Sequence, residues 1–160
     1  DTASLTSVNL LRVLLAERGL RPAFMPLPDY AQATALENVL LIGNPGIDFL
    51  HAPHPHTIWD LGAAWQELTD LPFVYAAWTL RRGHHDAALR EYLRATKTSG
   101  LEQLSKIIAT HPDYDTAFRQ AYLGGHIQYN LGKTEKDGLA KFVELLKMHG
   151  DQDVYKPTFV

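Results

Sequence analysis

The sequence predicts an α/β fold, and three stretches carry this prediction. Residues 4–7, Ser-Leu-Thr-Ser, precede an apolar run over residues 8–15 that has the period of an amphipathic helix. Residues 38–42, Asn-Val-Leu-Leu-Ile, form a short apolar run that a Gly-Asn-Pro-Gly turn ends, as is typical of a buried strand. Residues 71–78 are apolar on both faces and rich in aromatic residues, which predicts a second buried strand. Helices that alternate with strands are typical of α/β proteins.

The composition of the chain excludes several classes of protein. Of its 160 residues 46% are hydrophobic, which is enough for one substantial core. Its net charge is −3 with acids and bases well mixed, so the basic patch of a nucleic-acid-binding protein is missing. No apolar run approaches the roughly 20 residues that span a bilayer, and we expect neither a nucleic-acid nor a membrane partner. No cysteine is present, which excludes disulfides and thiol catalysis within these residues.

The first helix is expected to run from Thr6 or Ser7 to about Arg18, with Gly19 just after its end. The first turn of a helix has backbone N–H groups without partners and carries partial positive charge. Hydroxyl side chains at that point usually cap the helix, and in some proteins they share these donors with a bound carboxylate or phosphate. Residues 4–7 therefore fit either an N-cap or an anion site.

The segment between this helix and the first predicted strand is less regular. Three prolines exclude a helix over residues 21–28 and leave an edge strand at most. A short helix is expected around residues 31–36. The turn at residues 43–46 leaves the carboxyl end of the strand at 38–42, which is the edge where open α/β sheets bind ligands. The first 45 residues thus predict the order helix, strand, helix, strand.

Helices dominate the second half of the sequence. Asp60 is expected to cap a helix over residues 59–69, and this interpretation is favoured over a catalytic acid. Thr134 is expected to cap the last helix. Residues 151–160 are expected to be loose or extended. The remaining expected helices, separated by Gly100 and Pro112, cover residues 86–97, 101–108, 115–123 and 134–148, and the core face of the last one comprises Leu139, Phe142, Val143 and Leu146.

A group of histidines in the middle of the chain has the spacing of metal ligands. The group comprises His51, His54 and His56, and neutral imidazoles are good zinc ligands. However, Pro53 and Pro55 constrain this segment, and no acidic or thiol partner lies close in sequence. A motif without its structural context is weak, so we interpret the segment as a solvated or cleft-edge loop and predict no metal site.

Two further groups of side chains have simple structural interpretations. Trp59, Trp65 and Trp78 are large enough to stack on an aromatic ligand, but aromatic residues at helical or strand spacing more often lie in the core. His84 and His85 are interpreted as the polar lead-in to a helix.

Four motifs occur in a fixed order along nearly the whole chain. They read Ser4-x-Thr6-Ser7-Val8, Leu41-Ile42-Gly43-Asn44, Asp60-Leu61-Gly62-x-x-Trp65-x-x-Leu68-Thr69-x-Leu71-Pro72-Phe73-Val74-x-Ala76-x-Trp78 and Ile127-x-Tyr129-x-Leu131-Gly132. Together they resemble the chorismate dehydratases of the futalosine route to menaquinone. The third motif is the specific one, whereas the first would be weak alone.

The resemblance implies a two-lobed fold like that of the type II periplasmic (solute-binding) proteins, with substrate in the cleft and only the C-terminal part of the fold present. Residues 1–70 would form most of the second lobe, and residues 71–160 would supply a crossing strand and helices that complete the first. The match would cover roughly the last three fifths of a family member. The strand at 71–78 then lacks neighbours, so we expect either a longer protein or pairing with another copy as a homodimer.

The resemblance also implies a chemistry. Chorismate would lose water to give 3-[(1-carboxyvinyl)oxy]benzoate in the cytoplasm, with no cofactor and no metal. Ser4 and Asn44 are the candidate catalytic residues. Thr6, Ser7 and Val8 are the candidate substrate-binding residues, because hydroxyls at a helix start suit a substrate carboxylate.

Two departures from the family pattern keep other functions open. Leu5 stands where the family usually has Arg, and Asn44 stands where it usually has Asp. The loss of a guanidinium and of a carboxylate favours the alternative of a non-catalytic solute-binding protein for a small aromatic or carboxylate ligand. A third hypothesis is the sister enzyme that makes dihydroxynaphthoate, which residues 72–78 fit less well. Loss of chorismate absorbance would distinguish the enzyme from the binder.

Overall fold

Helices provide the regular secondary structure in this computed structural model, which describes residues 1–81, 83, 86–150 and 154–159. Seven α-helices follow one another along these residues, with a 3₁₀ helix at Tyr30–Ala35 and a π turn at Tyr122–His126. The α-helices are α1 (Leu5–Glu17), α2 (Asn44–His51), α3 (Leu61–Thr69), α4 (Ala87–Glu102), α5 (Leu104–Thr110), α6 (Thr116–Ala121) and α7 (Lys133–His149).

The predicted α/β fold is wrong, because no β-strand occurs among the described residues. Residues 24–27, 38–42 and 71–78 have no regular structure and pair with no neighbouring strand. A strand exists only through hydrogen bonds to a partner strand, and two of the backbone donors here bond side chains instead. The Ile42 N–H donates to the Asp1 carboxylate at 3.1 Å, and the Leu71 N–H donates to the Thr69 hydroxyl at 3.2 Å. The expected type II solute-binding-protein fold is therefore also wrong for the described residues, because that fold requires a sheet.

The described chain divides into two units. The first unit comprises Asp1–Ala77 together with Gly132–Val160, and the second comprises Trp78–Leu131. The first unit contains α1, α2, α3 and α7, whereas the second contains α4, α5, α6 and the π turn.

Helices α1, α3 and α7 enclose the core of the first unit. Trp65 is fully buried at its centre, and its ring meets Phe73 and Phe142 edge to face at centroid distances of 5.3 and 5.8 Å. Phe73 and Phe142 meet each other in the same way at 4.8 Å. Such aromatic pairs contribute about 0.5–1.5 kcal/mol each beyond the burial of their area. The buried core comprises Leu10, Val13, Leu14, Ala64, Trp65, Phe142 and Leu145.

Helix α7 packs very closely against the segment after α3. A Cβ atom at Gly138 would lie 2.1 Å from the carbonyl oxygen of Pro72, far inside van der Waals contact. Only glycine allows this approach, which brings Phe73 onto the face of α7 that carries Phe142. A short hydrogen bond of 2.5 Å between His149 and Glu17 joins the far ends of α7 and α1.

Capping residues in the sequence predict both ends of α1 and the start of α3. The Ser4 hydroxyl accepts the Ser7 N–H at 3.2 Å and so caps α1, and Asp60 caps α3 by accepting the Ala63 N–H at 2.8 Å. Gly19, with φ of 75°, follows α1. Its N–H donates to Ala16 and that of the next residue to Leu15, which is a Schellman ending.

Three expected boundaries are wrong. Gly100 lies inside α4 rather than between two helices, and residues 44–46 start α2 instead of forming a free turn. Gly132 occupies the N-cap of α7, whereas Thr134 lies within the helix. In each case the glycine or hydroxyl that signals a boundary is also compatible with the helix interior.

The second unit is organised around the buried side chain of Arg119 on α6. Its guanidinium donates to the carbonyl oxygens of Ile108 at 2.6 Å and Asp113 at 3.1 Å, and to that of Tyr114. It also donates to the Thr116 hydroxyl at 3.0 Å. Four neutral acceptors thus surround one buried cation and fix the turn between α5 and α6, where Tyr114 adopts φ of 59°.

Tyr129 makes a second side-chain contact with the backbone of this unit. Its hydroxyl donates to the Leu123 carbonyl oxygen at 3.0 Å. Burial, and then the neighbouring phenol of Tyr122, raise the pKa of Tyr129, since both disfavour the phenolate. The neutral phenol is the form that can donate this hydrogen bond.

Candidate functional site

The hydroxyl cluster predicted as an anion site lies at the start of α1. The Ser4 and Ser7 hydroxyl oxygens are 3.2 Å apart, and Ser4 also accepts the Ser7 N–H at 3.2 Å. Only 4% of Ser7 is exposed, whereas Ser4, Thr6 and Val8 are half-buried. The structure therefore shows an N-cap in which Ser7 is enclosed, and leaves Thr6 as the more accessible hydroxyl at the positive end of the helix.

The second candidate catalytic residue lies at the start of another helix. Asn44 is the first residue of α2 and is exposed. Gly43 occupies the N-cap with φ of 65°, and no side chain caps the helix. Pro45 follows in the first turn, where its missing N–H costs nothing. Asn44 thus starts a helix, in whose first turn the Gly46 N–H already donates to the Gly43 carbonyl oxygen at 3.0 Å, and does not end a strand as predicted.

Asp1 links the lead-ins of these two helices. Its carboxylate accepts hydrogen bonds from the Ala3 N–H at 2.8 Å, the Tyr30 hydroxyl at 3.1 Å and the Ile42 N–H at 3.1 Å. Ala3 immediately precedes the Ser4 cap, and Ile42 lies two residues before Asn44. The carboxylate therefore holds together the two backbone segments that lead into α1 and α2.

Sequence reasoning missed Asp1, although part of its role has a local signal. An aspartate that accepts the N–H two residues on forms an Asx turn, and aspartate is frequent in such turns. Its bonds to Tyr30 and Ile42 span 29 and 41 residues, and no sequence pattern announces them.

The histidine segment leaves the end of α2 without regular structure, with His51 exposed and His54 and His56 half-buried. His51 ends α2 and its Nδ1 lies 2.8 Å from the Ile47 carbonyl oxygen. His54 stacks on Phe49 at a centroid distance of 4.7 Å, and His56 meets the same ring edge-on at 5.5 Å. Among the described residues no group of three or more His, Cys, Asp or Glu side chains is arranged to hold a metal ion. His84 and His85 lie outside the described residues.

The three tryptophans differ in their environments. Trp65 is in the core as expected, and its indole N–H is buried without a hydrogen-bond partner. Trp59 packs against the edge of the core, with the Arg18 guanidinium 4.5 Å from its ring centroid. Trp78 is 63% exposed, so its expected place in the core is wrong. Its expected burial depended on the sheet that the described residues do not form.

Comparison with known proteins assigns the family. The profile of the menaquinone biosynthesis family matches residues 1–148, and the chain therefore belongs to this family. A chorismate dehydratase from Thermus thermophilus is 31% identical to this chain over an alignment of 169 positions. The alignment covers 91% of this chain and 60% of that protein. The chain thus spans three fifths of the length of this relative, in agreement with the extent that the motifs implied.

The structure adds one observation on membranes. Within the described part of the chain, no helix combines the length and the apolar character needed to cross a bilayer. This finding agrees with the absence of a long apolar run in the sequence.

Proposed function

We propose that this chain takes part in the dehydration of chorismate to 3-[(1-carboxyvinyl)oxy]benzoate. The observation that carries the proposal is the membership of the menaquinone biosynthesis family together with the likeness to a chorismate dehydratase. The start of α1 supports it, because the first turn of a helix carries partial positive charge that suits an anionic substrate.

The proposed reaction needs little beyond placement and one proton acceptor. The C–O bond to the ring hydroxyl breaks and a ring C–H bond gives up its proton, so that water leaves and the ring becomes aromatic. Aromatisation supplies the driving force, and orientation of the substrate supplies much of the rate. In this proposal Thr6 binds one substrate carboxylate at the start of α1, Val8 contacts the substrate, and Ser4 lies closest to the reacting ring. The enclosed Ser7 hydroxyl, 3.2 Å from that of Ser4, supports it from within the cap.

The proton acceptor is not one of the candidate residues of this chain. An amide does not accept a proton at neutral pH, so Asn44 orients the substrate rather than acting as a base. The carboxylate of Asp1 already accepts three hydrogen bonds. Two acceptors stay open in this proposal, a carboxylate of chorismate itself and a residue outside this sequence.

A second candidate function is binding of a small carboxylate without turnover. The amide at Asn44 favours it, because an amide cannot serve as a base toward a bound ligand. This alternative keeps the anion site and loses only the chemical step. A cytoplasmic location and a homodimer remain predictions under either function.

Incubation of the purified full-length protein with chorismate tests the proposal. Loss of chorismate absorbance with formation of the carboxyvinyloxy-benzoate, identified by mass spectrometry, is the expected result. Calorimetric binding of chorismate without consumption would leave the binding function alone. The absence of both binding and turnover would contradict the two functions together. If Ser4 lies closest to the reacting ring, Ser4→Ala should lower turnover. Ser105→Ala, at an exposed serine of α5, is the matched control.

A further inference from the structure

We draw no further inference here: the strongest candidate, the exposed apolar face of α4 in the second unit that carries Leu89 and Tyr92, supports no proposal because nothing in the structure shows what covers it.

Discussion

The Asp1 carboxylate accepts the backbone N–H of Ile42 at 3.1 Å, although the two residues are 41 positions apart. The same carboxylate accepts the Tyr30 hydroxyl, so one side chain joins three segments of the first unit. The segment at 38–42, which sequence patterns identify as a strand, is thereby held by a side chain instead of by a sheet. Asp1 thus determines how the lead-ins of α1 and α2 meet.

Asp1→Asn should loosen this junction without changing its size. One carboxylate oxygen accepts Ala3 and Tyr30 and the other accepts Ile42, so an amide nitrogen at either place faces a donor. We expect a loss of about 1–3 kcal/mol of unfolding free energy, and faster hydrogen exchange of the Ile42 amide. Asp29→Asn is the control, since Asn caps as well as Asp there. An unchanged exchange rate at Ile42 would contradict the role of Asp1.

Thr6→Val should separate ligand binding from helix capping. If Thr6 donates to a substrate carboxylate, its replacement should weaken chorismate binding by about 1–2 kcal/mol through a lost charge-assisted hydrogen bond. Ser4→Ala removes the cap and should instead cost about 1 kcal/mol of unfolding free energy. Calorimetry with chorismate and urea unfolding measure the two effects. Equal chorismate affinity in Thr6→Val and the parent would place the anion site elsewhere.

Gly138→Ala should destabilise the first unit even though alanine is the better helix former. The added methyl group would meet the Pro72 carbonyl oxygen at 2.1 Å, and either α7 or the Pro72 segment must move. We expect a loss of about 1–3 kcal/mol of unfolding free energy or more. Gly100→Ala is the matched control inside α4, where, among the described residues, an added Cβ would meet no atom within 4 Å beyond its chain neighbours and the adjacent helical backbone. It should stabilise by about 0.5–1 kcal/mol. Similar effects of the two changes would refute the close packing at Gly138.

Tyr129 should make the second unit sensitive to alkaline pH. Because its pKa is raised in the folded chain, the unfolded chain loses the proton first as the pH rises above about 10. The unfolded state then binds fewer protons than the native state, so stability falls with rising pH in that range. Tyr129→Phe should remove this part of the decline, and Tyr92→Phe, at an exposed tyrosine of the same unit, should not. Urea unfolding at about pH 9 and about pH 11 compares them.

Local chemistry explains what could be predicted from the sequence. The start and end of α1 follow from Ser4 and Gly19, and Asp60 signals the start of α3, because capping depends on residues within one turn. Trp65 and Phe142 were predicted as core residues from helical periodicity alone. The hydroxyl residues at the start of α1 can also be identified from the sequence. That they bind an anion stays a prediction.

Distant pairing explains what could not be predicted. Residues 38–42 and 71–78 have the composition of strands, but a strand needs a partner, and composition does not say whether one is present. The link from Asp1 to Ile42 and the bond from His56 to Leu36 join residues 41 and 20 positions apart. Such contacts depend on how elements pack in three dimensions, so neither of these two hydrogen bonds could be predicted from the sequence.

The enclosure of Arg119 has a consequence for proteolysis. Trypsin inserts an arginine side chain into a deep acidic pocket, and Arg119 is held in the chain's own interior by four acceptors. The peptide bond after Arg119 can therefore be cut only when the turn between α5 and α6 opens. When opening is fast relative to cleavage, the cutting rate at this bond reports the population of the opened state. The guanidinium that orders the second unit thus also makes its local opening measurable with a protease.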